Sequence, residues 1–238
     1  MIVDVDTIKE LKNSPNSPNS AYQLLKFEFT YHSNKIEGSS FTKEELELLM
    51  SEKIVSGLHK IDDINETMNL LKLFDYMIDT LNEPLSGELI LKFHKVLKDH
   101  TIDCERGWAG CWKKYPNMIF GAPVEFSDPS YVELEKNALI KKWNLSSKTT
   151  EDVLDFHVKF ETIHPVQDGN GRLGRLILLK QCIENRLDLL MLGENFSVEY
   201  KKAIGRAQTK NECLDLLNVF DKNLSFFKES IGYIMYLR

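Results

Sequence analysis

Apolar residues recur at spacings of three and four along most of this chain, a periodicity that confines it to helices. Tyr22, Leu25, Phe29, His32 and Ile36 form one stripe, and Leu70, Leu71, Phe74, Met77, Ile78 and Leu81 form a second. Leu89, Ile90, Phe93, Val96 and Leu97 form a third, after a break from Pro84 to Gly87. Alternating runs are too scarce for a sheet and no internal repeat is evident, so the predicted class is all-α. One stretch departs from it. Residues 103–127 interleave Gly107, Gly110, Pro116, Gly121 and Pro123 with aromatics, which predicts an irregular loop or a small β-hairpin.

Helix ends are marked by their chemistry. Gly38 is a left-handed stop for the first stripe, and Thr42 with Glu45 forms a capping box opening a helix from Lys43 to about Ser51. Asp128 and Pro129 are cap and first-turn residues of a helix reaching about Trp143, and Thr149 or Thr150 opens the next. Further helices are expected at about 171–186, 197–209 and 211–234. The tract from Asn13 to Asn19, NSPNSPN, cannot hold a helix, so residues 1–20 are expected to be an arm or linker, with order beginning at Ser20.

At 238 residues, with 42% apolar and 28% charged, the chain is long enough for one large domain with a real core. No run approaches the roughly 18 apolar residues of a membrane helix. The first residues lack the zones of a signal peptide, so a cytoplasmic location is expected. The net charge of −6 argues against general nucleic-acid binding, so any phosphate site must be local. Four cysteines without paired spacing predict free thiols, with no zinc site or disulfide framework.

The run from His164, HPVQDGNGRLGRLILLKQCIE, concentrates the chemistry. Pro165 ends one helix, and Gly169, Asn170 and Gly171 lead into another, a turn that presents unpaired N–H groups as an anion nest. Arg172 and Arg175, at i and i+3, share a face of the first turn, where cations oppose the helix dipole; a polyphosphate between them and the amides resolves the conflict. Asp168 offers a hard oxygen for Mg²⁺, and His164 alone in the run titrates near neutrality, as a base for a hydroxyl must. The run is neither a P-loop nor a dinucleotide fingerprint. His157 shares a helix stripe with Phe160 and reads as a buried core histidine.

The twelve residues from His164 to Arg175 resemble the Fic (filamentation induced by cAMP) motif HPFxDGNGRxxR, departing only at Val166, a position that packs into the core. The resemblance implies a Fic-type helical bundle with a β-hairpin flap, spanning residues 21–238 as one domain: an inhibitory helix at about 21–37, a core at about 65–210 and a C-terminal helix at about 211–234. It implies a protein adenylyltransferase, in which His164 takes the proton of a Tyr, Thr or Ser hydroxyl of a target protein that attacks the α-phosphate of ATP. Asp168 would hold Mg²⁺; Asn170 and the amides around Gly169 and Gly171 would bind the α- and β-phosphates; Arg172 would steady the β-phosphate and Arg175 the γ-phosphate. Ser33, Glu37 and Gly38 resemble the family's inhibitory motif (S/T)xxxE(G/N), with Ser33 and Glu37 on one helix face and Glu37 expected to pair with Arg175. The flap falls at residues 112–120, where Lys114, Tyr115, Asn117, Met118, Ile119 and Phe120 would dock the target's main chain, against a reading in which they only cover the core. Tyr200 is placed at the adenine, against a reading as simple packing. Relatives that remove AMP, or transfer UMP, phosphocholine or a γ-phosphate, define the alternatives, and a helical interaction module or toxin component is the alternative of another class. A homodimer is expected by analogy.

Overall fold

The computed structural model describes residues 2–13, 20–117, 125–210 and 212–229. Eleven α-helices are present among them: α1 Val5–Asn13, α2 Ala21–Ile36, α3 Lys43–Ser51, α4 Ile61–Asp79, α5 Gly87–Leu97, α6 Ile102–Glu105, α7 Val132–Leu145, α8 Thr150–Ile163, α9 Asn170–Glu184, α10 Ser197–Lys210 and α11 Leu214–Phe227. Short 3₁₀ turns at Pro129–Tyr131 and Glu194–Phe196 lead into α7 and α10. The described residues contain no strand beyond a single bridge between Ile2 and Asp188.

The central element is α9, whose residues from Leu173 to Ile183 are buried on every side, as a helix apolar all round must be. It packs against α8, α2, α4 and α5. Lys180, on this buried helix, satisfies its ammonium on the carbonyls of Thr80 and Glu83 and on Glu184. The predicted stripes line one continuous core with α9 at its centre, including Leu25, Leu70, Phe74, Met77, Ile90 and Phe93. Capping follows the sequence: Thr42 and Thr149 each form a capping box, with Glu45 and Asp152, and Asp128 caps the turn before α7.

Two expectations are revised. Order begins before Ser20, because α1 buries Ile8 and Leu11 against α2 and α4; residues 14–19 of the proline tract lie outside the described residues. The stretch 103–117 holds the short helix α6 and turns, with no strand, and residues 118–124, where a hairpin would close, lie outside the described residues. The helix expected at 211–234 begins at Leu214 and is helical through the last described residue, 229; its expected end lies outside the described residues, at 230–238. No helix among the described residues is long and apolar enough to cross a membrane.

Candidate active site

The site is the junction of α8 and α9. His164 caps α8 in the left-handed conformation, at φ 51°, with its N–H on the Phe160 carbonyl, and Pro165 then forbids continuation. Histidine tolerates this region better than most residues, and such a backbone is a common mark of a functional position. Val166 is fully buried, as expected of the motif's third position. Gly169, at φ 87°, serves as the N-cap of α9 and offers no side chain, so the first amides of the helix are left facing outward. Asn170 shapes this loop from inside: its carboxamide is buried, accepts from the Val166 N–H at 3.0 Å and donates to the Val166 carbonyl at 2.8 Å. Its side chain is thus committed to the turn, and only its main chain is free to meet a phosphate.

His164 is held as a neutral base. Its Nδ1 lies 3.3 Å from the Glu161 carbonyl, and since a carbonyl only accepts, Nδ1 carries the proton and the Nε2 lone pair is free. Burial drives its pKa down to about 4, helped by the nearby Lys113 ammonium and opposed by the Glu161 carbonyl, Glu37 and Asp168. Phe126 covers the ring, with centroids 4.3 Å apart.

Beneath it, Glu161 is a buried carboxylate with Oε2 4.0 Å from His164 Nδ1 and Oε1 without a hydrogen-bond partner. Burial pushes its carboxyl up to about 7, against the pull of Arg175. A Cβ on Gly174 would come within 2.3 Å of this carboxylate, so the glycine between the two arginines makes room for it.

Both motif arginines are buried and engaged by carboxylates from other helices. Arg175 donates from Nε to Ser33 Oγ and from Nη2 to the Ser33 carbonyl, each at 3.0 Å, and from Nη2 to Glu37 Oε1 at 2.7 Å. Ser33 and Glu37 therefore act on one guanidinium, from the last turn of α2, with Gly38 at φ 89° turning the chain away. Burial of Glu37 opposes its charge, but Arg175 and then Arg172 hold its pKa below the usual carboxylate value. The Glu37 carboxylate also sits over the start of α9: a Cβ on Gly171 would lie 2.3 Å from Glu37 Oε1. Arg172 donates from Nη1 to Glu66 Oε2 at 2.6 Å, and its Nη2 is 3.5 Å from Asp168 Oδ2.

Asp168 is the exposed acid of the site, 59% open at its side chain. Burial of its surroundings works against its charge, yet Lys98 and Arg172 bring its pKa down to about 2, so it is a carboxylate at any ordinary pH. Its ligand oxygen lies within 4.8 Å of oxygens of Glu66 and Asp103, a hard donor set that fits Mg²⁺.

The described part of the stretch expected to form the flap is tied to the motif loop. The Lys113 N–H donates to the Pro165 carbonyl at 2.9 Å, the Tyr115 N–H to Gln167 Oε1 at 3.2 Å, and Asn117 Nδ2 to the Gln167 carbonyl at 2.9 Å; the Lys114 N–H is 3.4 Å from the same Gln167 oxygen. Met118, Ile119 and Phe120 lie outside the described residues. Tyr200 is placed differently from an adenine contact: it is buried, its hydroxyl is 2.8 Å from His157 Nε2, and its ring packs on Phe220. His157 is the core histidine expected, with burial lowering its pKa to about 3.

Sequence reasoning missed Glu66, Lys98, Asp103, Glu161 and Phe126. Only Glu161 carried a local signal, a carboxylate set between Phe160 and Ile163 on an apolar helix face.

Residues 84–182 match the Fic/DOC family. A probable protein adenylyltransferase from Aquifex aeolicus is 32% identical over 170 residues, 67% of this chain and 48% of the relative. The protein adenylyltransferase Fic of Nematostella vectensis is 29% identical over 161 residues, 64% of this chain and 36% of the relative, so the chain spans half or less of these curated relatives. Among solved structures, a Fic domain containing signaling protein from Bacteroides thetaiotaomicron superposes with a TM-score of 0.76 at 19% identity, covering 95% of this chain and 94% of that one. Fic-1 from C. elegans gives 0.72 at 20% identity, covering 97% of this chain and 70% of that one. These share the helical fold described above. The chain carries a Fic/DOC domain at residues 84–182.

Proposed function

From the premise of a Fic/DOC domain, we propose that this protein is a protein adenylyltransferase, moving AMP from ATP to a hydroxyl side chain of another protein, and that Glu37 restrains it. The observation that carries the reading is the carboxylate seated over Gly171: the mouth of the α9 N-terminus, flanked by two buried arginines, already holds an anion. A triphosphate is the larger anion that satisfies the same groups.

In the reaction, Nε2 of neutral His164 accepts the proton of the target hydroxyl as its oxygen bonds to the α-phosphorus. The bond from that phosphorus to the β-phosphate oxygen breaks, and pyrophosphate leaves with the electron pair. Amides at the start of α9 and the guanidinium of Arg172 stabilise the charge that develops, and Arg175 takes the γ-phosphate once Glu37 yields. A bound Mg²⁺ supplies further neutralisation of the phosphates, and Asp168 is the residue that would ligate it. The Lys114–Asn117 strip, tied to Gln167, is positioned to register the target's main chain beside His164.

The test is mass spectrometry of Glu37→Gly protein incubated with Mg·ATP labelled at the α- or the γ-phosphate. An AMP adduct carrying only the α-label, absent from the double variant Glu37→Gly, His164→Ala, is expected. A γ-label adduct would establish kinase-type transfer instead, and an adduct surviving loss of His164 would overturn the assignment of the base.

A further inference from the structure

The Lys98 side chain, just past the last residue of α5, ends in the middle of three carboxylates. Its ammonium bonds Glu66 Oε1 and Asp168 Oδ2 and lies 3.0 Å from Asp103 Oδ2. These three acids come from three separate parts of the chain, α4, α6 and the motif loop, and only Lys98 touches all of them. Lys98 is 1% exposed, whereas Asp168 is open to solvent on its far side. Its stem is also fixed: a Cβ on Gly169 would lie 3.2 Å from Lys98 Cε, so the turn that opens α9 rests directly on this lysine. Thr101 Oγ donates to the Lys98 carbonyl at 2.8 Å, and Asn69 holds the neighbouring carbonyls of Leu97 and Asp99.

Three carboxylate oxygens, one from each acid, around one buried ammonium is the arrangement expected of a cation site whose cation is covalently tethered. We propose that Lys98 is a positioning residue that occupies the metal's place at Asp168 in the nucleotide-free protein, suppressing divalent-metal binding until a nucleotide's phosphates arrive and Asp168 is exchanged from ammonium to metal. The inference rests on Asp168 being the metal ligand of the proposed reaction. The charge balance supports it. Glu66, Asp103 and Asp168 carry three negative charges, against positive charges on Lys98, Arg172 and, 4.0 Å from Asp103, Arg106, leaving no net negative charge to attract a divalent ion; a nucleotide adds the phosphate oxygens that Mg²⁺ prefers alongside one carboxylate. Asp168 can turn outward because it is the exposed member, while Glu66 and Asp103 stay behind to neutralise Lys98.

The first test is Mn²⁺ binding, followed by electron paramagnetic resonance with no nucleotide present. Lys98→Met is expected to bind Mn²⁺ on the order of tenfold or more tighter than the native protein, because three close carboxylates lose their internal cation; equal affinities would overturn the proposal. Lys98→Arg, which keeps the charge, is expected to bind as weakly as the native protein. Since neither nucleotide nor target is in this assay, its outcome is independent of whether AMP transfer occurs. A second measurement carries no folding risk. In native protein labelled with ¹⁵N-lysine, the ammonium resonance missing from Lys98→Arg is expected to shift when Mg²⁺ is added to the ADP-bound protein; an unmoved resonance would refute the exchange at Asp168.

Discussion

Replacing Glu37 by glycine removes one of three hydrogen bonds that hold the Arg175 guanidinium, and the structure sets the size of the effect on ATP. The bond is charge-assisted and 2.7 Å long, from a guanidinium 5% exposed to a carboxylate 36% exposed. Such bonds are worth about 1.5–3 kcal/mol, and the solvent reaching Glu37 places this one near about 1.5 kcal/mol. Arg175 must surrender it to accept the γ-phosphate, so its removal is expected to tighten ATP binding by about tenfold. The Ser33 hydroxyl and carbonyl remain on the guanidinium, so Arg175 keeps its place and the variant folds. Its melting temperature without ligand should fall by only a few degrees, roughly 3–6 °C for a loss of about 1.5 kcal/mol. Isothermal titration in a His164→Ala background, where no transfer competes, provides the assay. ADP is the internal control: lacking the γ-phosphate, it gains much less than ATP. Affinity for ATP unchanged within about twofold, or equal gains for ATP and ADP, would refute the competition for Arg175.

Two further outcomes follow from the packing around the arginines. Glu161 has a folded-state pKa of about 7 against an ordinary 4.5, so the folded protein keeps a proton that the unfolded chain releases as pH rises between those values, and stability falls across that window by about 3 kcal/mol. Relative to Glu161→Gln, which mimics the protonated acid, the native melting temperature should drop by roughly 6–12 °C between pH 4.5 and pH 8; parallel curves would show that Glu161 is not held protonated. Gly171→Ala places a methyl 2.3 Å from Glu37 Oε1 and is expected to lower the melting temperature in native protein, yet to be neutral or stabilising in Glu37→Gly, where alanine is simply the better helix former. Equal effects in both backgrounds would remove Glu37 from the mouth of α9.

What sequence reasoning reached was what neighbours in the chain encode. The glycines, Asn170 and the arginine pair at the start of α9 lie within two turns of each other, and Ser33 and Glu37 share a face at i and i+4, so with the family resemblance both halves of the Arg175 clamp are legible in the sequence. The residues missed are those whose partners lie far away: Glu66 meets Arg172 across 106 positions and Lys98 meets Asp168 across 70, and no periodicity announces such pairs. The first helix was hidden for another reason. Val5, Ile8 and Leu11 carry a helical stripe, but the proline tract that follows dominated the expectation for residues 1–20. The resemblance places Asn170 among the phosphate ligands, and only the geometry reveals that both the oxygen and the nitrogen of its carboxamide already bond Val166.

The two arginine clamps are chemically alike but differ in how firmly their carboxylates are held, and on the proposed function this asymmetry is why restraint would fall on one of them. Glu66 lies within α4, pairs with Lys98 as well as Arg172, and can leave only by abandoning a buried ammonium. Glu37 is the C-cap of α2, beside a left-handed glycine and partly in solvent, with Arg175 as the one hydrogen-bonded partner of its side chain among the described residues. Withdrawing Glu37 therefore breaks one ion pair at a helix end, while withdrawing Glu66 breaks two within α4. Arg172 is thus the more firmly held arm, and on the proposed function it is the one that would meet the β-phosphate. Arg175 is the arm whose partner can be exchanged, and control of the site falls to the helix end that supplies that partner.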